Sequence, residues 1–123
     1  MSTELKPALD LEAALARLDG DDEFLAELAE LFLGSIDELL ESLNAAVQTR
    51  RPEEISDVAH AIKGSLGNFC AHPAFDAALS LETTTRAGDL RQVDELHVTL
   101  VREIERLNAV LKSEVVNAGV VSE

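Results

Sequence analysis

His60, Lys63, Gly64 and Gly67 are the residues of this chain whose types and spacing suit a reaction. A neutral imidazole nitrogen attacks phosphorus well, and the N-phosphate it forms stays reactive enough to be passed on. Phosphoryl transfer asks mainly for in-line positioning and for charge to balance the equatorial oxygens. A lysine three residues after the histidine, one helical turn on, offers that charge. If the stretch is helical at 100° per residue, Ile55, Ala59, Ile62, Leu66 and Phe69 fall within about 80° of one another as a core stripe. On the same wheel His60 lies about 140° from Ile55, Gly67 about 120°, Gly64 about 180° and Lys63 about 80°. His60 is therefore expected to face water, with few side chains around it. Each mid-helix glycine costs about 1 kcal/mol relative to alanine. Two of them beside an outward histidine suggest that something must come close.

Other chemistries fit less well. His97 falls on an apolar seam and is read as a core or boundary residue; His72 precedes Pro73 at a helix start and is read as a capping or loop residue. Asp57-x-x-His60 and Asp94-x-x-His97 imitate the Glu-x-x-His pairs of di-iron bundles, but Asp57 and His60 face solvent while His97 faces inward. No inward carboxylate on the preceding long helix completes such a set, so no metal site is expected. Ser65 lies about 140° around the helix from His60, too far for a nucleophile–base pair. No glycine-rich loop follows a strand, so ATP binding by this chain alone is not expected.

The elements that must hold His60 are helical. The chain has 123 residues, 46% hydrophobic, with four Phe and neither Trp nor Tyr. That length suits one domain, and the Leu- and Ala-rich composition favours an all-α fold. A net charge of −14, from 24 acidic and 10 basic residues, disfavours nucleic acid and anionic membranes as partners. From Val58 to Phe75 there is no Asp or Glu, although acidic residues are dense elsewhere. This gap reads equally as a core helix with few charged positions or as a surface cleared for an anion. The single Cys70 excludes an internal disulfide and reads as a buried thiol in a reducing compartment. No signal peptide or membrane-length apolar run is visible, so no membrane insertion is expected and a cytoplasmic location is the default.

In chain order, residues 1–9 read as a flexible tail. Asp10 caps a short helix carrying Leu11, Leu15 and Leu18, which ends at Asp19-Gly20. Asp21 or Asp22 caps a long helix whose stripe runs Leu25, Leu28, Phe32, Leu39, Leu43 and Ala46, widened by Leu31, Ile36 and Val47. Pro52 with Glu53 and Glu54 starts the His60 helix, expected to reach about Cys70. His72-Pro73 starts a fourth helix that closes at Ala87-Gly88. Asp89 is expected to cap the last, with its seam Leu90, Val93, His97, Leu100, Ile104, Leu107 and Leu111. Short connections imply antiparallel neighbours, hence an up-down-up-down four-helix bundle over residues 10–115, with the short first helix as an extra element. Residues 116–123 are expected to fray.

His60-x-x-Lys63-Gly64-Ser65, followed by Asn68-Phe69 and Ala71, closely resembles the signature of histidine-containing phosphotransfer (HPt) domains. The resemblance continues through Leu81-Glu82-x-x-x-Arg86-x-Gly88-Asp89 and, with the helix pattern, covers residues 10–112. It implies a phosphorelay carrier rather than an enzyme. His60 would accept phosphate through Nε2 from a receiver-domain aspartyl phosphate and pass it to another receiver's aspartate. Lys63 would contact the phosphoryl group, and Gly64 would keep the approach clear, with Gly67 widening the clearing. At the Glu82 position the family often has a residue that orients the imidazole. Arg86 would either pair with Glu82, four residues before it, or help the phosphate.

Two positions depart from the family pattern. Cys70 stands where glycine is usual, so the end of the His60 helix is expected to differ locally. Leu66 replaces a small residue. The implied partners are receiver domains of response regulators or a hybrid histidine kinase, met as a monomer. No cofactor is implied beyond Mg²⁺ brought by the receiver. Two other readings stay open: a helical adaptor that is never phosphorylated, and a substrate domain phosphorylated directly by a kinase's ATP-binding domain.

Overall fold

The computed structural model describes residues 6–116, and they form helices joined by short turns. In order these are α1 (Leu11–Arg17), α2 (Asp22–Thr49), α3 (Pro52–Leu66), α4 (His72–Arg86) and α5 (Val93–Val110), the last continuing as a π-helical stretch over Leu111–Val116. Residues 1–5 and 117–123, which include most of both expected tails, lie outside the described residues.

Local chemistry accounts for most of the starts and stops. The Asp10 carboxylate accepts from Ala13 N–H at 3.1 Å and Asp21 from Phe24 N–H at 3.0 Å, each satisfying a donor that a helix start leaves free. Pro52 opens α3 where its missing N–H costs nothing. Helix α4 ends on Gly88 at φ +80°, with Gly88 N–H donating to Thr85 O and Asp89 N–H to Thr84 O. This is a Schellman closure, and the left-handed step it needs is one glycine takes without a Cβ clash.

Helix α2 packs on α3 and α5, and α4 packs on α3 and α5, while the backbones of α2 and α4, and of α3 and α5, stay more than 8 Å apart at every α carbon described. The α3/α4 seam and the α2/α5 seam therefore lie across the core from each other. That core holds Leu25, Ile36 and Leu43 of α2, Ile55, Ile62 and Leu66 of α3, Leu81 of α4, and Leu100, Ile104 and Leu107 of α5. Phe32 and Phe69 meet edge to face with ring centroids 5.4 Å apart, pinning the turn after α3 onto α2.

Several boundaries and faces differ from the sequence expectation. Helix α3 stops at Leu66 rather than Cys70; Gly67–Cys70 is a turn, and Cys70 takes φ +50°. A β-carbon is unfavourable in that left-handed conformation, which glycine would adopt without a clash. Helix α5 begins at Val93 with Gln92 as its cap residue; Asp89 instead bonds Arg91 through N–H and guanidinium. Leu31, expected to widen the α2 stripe, is 71% exposed, because the step of 100° from buried Phe32 carries it out of the core. Ala8 and Leu9, within the stretch read as a tail, are buried against the core. The turn after α3 is further tied to α1: Arg17 donates to Gly67 O at 2.9 Å, and Asp10 N–H donates to Cys70 O at 3.2 Å.

Candidate functional site

Helices α3 and α4 make the tightest pairing in the fold, and the candidate residues meet across it. Successive turns of α3 project His60 and Lys63 toward α4, which answers with Glu82 and Arg86, also one turn apart. The Glu82 carboxylate is the hub. Its Oε2 lies 2.8 Å from His60 Nδ1 and accepts from Arg86 Nη2 at 2.6 Å, while its Oε1 lies 2.8 Å from Lys63 Nζ. The lysine contact is an ion pair whose angles fall outside hydrogen-bond geometry.

Exposure separates the members of this cluster. Glu82 is 2% exposed, the Lys63 side chain 22%, and those of His60 and Arg86 63% and 64%. A buried carboxylate without partners would bind a proton to escape its desolvation. Here Lys63 above all, followed by His60 and Arg86, outweighs burial and holds the Glu82 carboxyl down at about 2. Glu82 is thus an anion at neutral pH, with acceptor sites only. The hydrogen of its bond to His60 must come from Nδ1. In the neutral ring that is the Nδ1–H tautomer, whose Nε2 lone pair is free, and the side chain is 63% exposed.

Gly64 is exposed on α3, where the helical wheel puts it, whereas Gly67 follows the end of the helix and is half-buried. A β-carbon on Gly64 would meet nothing within 4 Å, and one on Gly67 would touch only Gly64 O, at 3.5 Å. Among the described residues no packing requires either to be glycine, so Gly64 leaves bare backbone toward open space one turn from His60. Gly67 has a structural task as well, since its carbonyl receives Arg17.

The other two histidines stand apart. His72 is the exposed first residue of α4 and makes no capping bond. His97 is half-buried on α5 facing α2, and its Nε2 is buried without a partner. Burial pushes its pKa below the usual histidine value, against a smaller upward pull from Asp94.

The sequence alone aims Lys63 at an incoming group, whereas in the structure Lys63 is paired with Glu82. The signal available was the position of Lys63 on the shoulder of the α3 stripe, the side on which a neighbouring helix must lie. Leu79, one turn before Glu82, is a large apolar residue left exposed beside this cluster.

An outward imidazole held in one tautomer by a buried carboxylate, with two cations close by and open backbone beside it, can take up and release a phosphoryl group. The model of the Hpt domain family matches residues 27–110. The chain belongs to that family and is a histidine phosphotransfer module of two-component phosphorelays; domains of this kind are phosphocarriers that work with receiver domains and histidine kinases. Among solved structures it is similar to histidine-containing phosphotransfer protein B (HptB) from Pseudomonas aeruginosa PAO1. The two are 25% identical, covering 89% of this chain and 96% of that one with a TM-score of 0.80. A comparison with curated protein sequences gives no match. Among the described residues no helix is long and apolar enough to cross a membrane.

Proposed function

We propose that His60 is the residue that carries the phosphoryl group, with Lys63, Gly64 and Glu82 as its immediate machinery and Arg86 and Gly67 in support. The observation that carries this reading is the bond between the buried Glu82 carboxylate and His60 Nδ1 at 2.8 Å. In the forward step the Nε2 lone pair attacks phosphorus of a receiver's aspartyl phosphate. The N–P bond forms, the P–O bond to aspartate breaks, and the aspartate leaves as a carboxylate. The proton on Nδ1 stays in place, and the positive charge gained by the ring lies against Glu82. Passage to a second receiver is the same step reversed.

Lys63 and Arg86 stay close to the phosphoryl oxygens and help balance their charge, without leaving Glu82 unpaired. Bare backbone at Gly64 lets the receiver's loops reach Nε2, and Leu79 offers them an apolar contact. Mg²⁺ arrives with the receiver, and this chain has no turnover of its own. The scaffold is read as a monomeric, cytoplasmic, antiparallel up-down-up-down bundle of α2 to α5, with residues 10–115 as its folded domain and Ala8 and Leu9 packed onto it.

The test is transfer from a phosphorylated receiver in the presence of Mg²⁺. The expected product is an acid-labile, alkali-stable phosphoprotein. His60→Gln should abolish labelling, whereas changes at His72 or His97 should not. Label that persists in His60→Gln, or none on the native chain, refutes the assignment. Labelling by a kinase with ATP but by no phospho-receiver would favour a kinase substrate domain instead.

A further inference from the structure

Across the core from His60, helices α2 and α5 leave an open groove of about 670 Å³. Leu40, Val98 and Val101 supply its apolar surface, and Val98 is 59% exposed. Asp37 and Glu41 edge it from α2 and Glu105 from α5, and among the described residues Arg102 is the one cation that lines it. Among the described residues, none of those three carboxylates is in an ion pair. His97 lines the groove, its Nε2 buried without a partner.

The lining runs from Asp37 to Asn44 on one helix and from His97 to Glu105 on the other, about two turns each. A groove of that length, parallel to two helices, matches the spacing of apolar anchors at i, i+3, i+4 and i+7 on a third. Three unpaired carboxylates against one arginine ask that the occupant be basic on its flanks. A second copy of this chain, at net charge −14, would add repulsion instead.

We propose that the α2/α5 groove is a docking site for a basic amphipathic helix of a partner protein, which seats apolar anchors on Leu40, Val98 and Val101 between Asp37, Glu41 and Glu105. The site lies on the face away from His60, so a bound helix leaves the imidazole open to a receiver. The carrier can then be held by one protein while it exchanges phosphate with another.

The probe is a fluorescent helical peptide with leucines at i, i+3, i+4 and i+7 and lysines flanking them, titrated into the full chain. Saturable binding that weakens with salt, with NMR shifts at Leu40, His97, Val98 and Val101, is the expected result. Val98→Asp, and the pair Glu41→Lys with Glu105→Lys, should each weaken binding by about tenfold or more while phosphotransfer through His60 is unchanged. These positions are exposed, and circular dichroism of each variant checks that the fold survives. Three results would overturn the proposal: no saturable binding, equal binding of a peptide with glutamates in place of the lysines, or shifts centred on His60 and Leu79. A native dimer that Val98→Asp dissociates, seen by sedimentation, would overturn it in favour of self-association.

Discussion

Glu82 reaches His60 from the neighbouring helix, Oε2 to Nδ1 at 2.8 Å, as a carboxylate almost wholly removed from water. The ring's tautomer and orientation therefore depend on a residue 22 positions away in sequence. Loss of that carboxylate should slow the chemistry. Glu82→Gln keeps an amide oxygen to accept from Nδ1–H but loses the charge. The difference between a charged and a neutral acceptor is about 1 kcal/mol, so transfer should slow by roughly five- to tenfold. Glu82→Ala frees the ring as well and should slow transfer by about 10² or more. Rapid-quench transfer from a phospho-receiver measures both, and near-native rates in Glu82→Ala would remove the positioning role.

Acid should weaken the fold through the same carboxylate. Its pKa falls from 4.5 to about 2 on folding. Below 4.5 the unfolded chain binds this proton more readily than the folded one, so stability declines as pH drops. The Glu82 contribution is complete above pH 4.5, shrinks on acidification and is gone below about 2. Urea melts across that window should slope downward toward acid, and Glu82→Gln should flatten part of the slope. An unchanged slope in the variant would place the charge-dependent stability elsewhere.

Gly64 should reveal a residue kept for a partner. A methyl there meets no atom within 4 Å, and alanine favours a helix by about 0.5–1 kcal/mol over glycine. Gly64→Ala should therefore raise the melting temperature, and Gly64→Leu should leave the isolated chain folded. Transfer from a receiver should fall in that order, most steeply for leucine. Full transfer activity in Gly64→Leu would dispose of the clearance argument.

His97 should titrate below an ordinary histidine, since burial disfavours its charged form. Its folded pKa is depressed, so the stability tied to its neutral state is lost as pH falls from the unfolded value of 6.5 toward the folded one. Two-dimensional NMR of the ring protons against pH reads this directly. A midpoint at or above 6.5 would contradict the burial seen on α5.

Residues 59–71 carried much of this protein's character in the sequence. The apolar stripe from Ile55 to Leu66 fixes which face of α3 is buried, and helical geometry then turns His60 and Gly64 outward. The caps at Asp10 and Asp21 and the proline start of α3 were equally legible, because each depends on a few adjacent residues. Boundaries were less so. Phe69 is in the core, as its spacing implied, yet it reaches Phe32 from a turn. Burial alone could not say whether the α3 helix continued that far.

Tertiary structure decided the charge at the site. The sequence supplies Lys63, Glu82 and Arg86, and the four-residue spacing allows the Glu82–Arg86 pair on α4. No periodicity within α3 or α4 sets how they rotate against each other, and that rotation brings Lys63 and His60 onto one carboxylate. The same packing excludes water from Glu82, which strengthens those contacts and fixes the imidazole's hydrogen on Nδ1. Local spacing thus determined an outward histidine, and contact between two helices determined which of its nitrogens is bound to Glu82 and which is left unbonded.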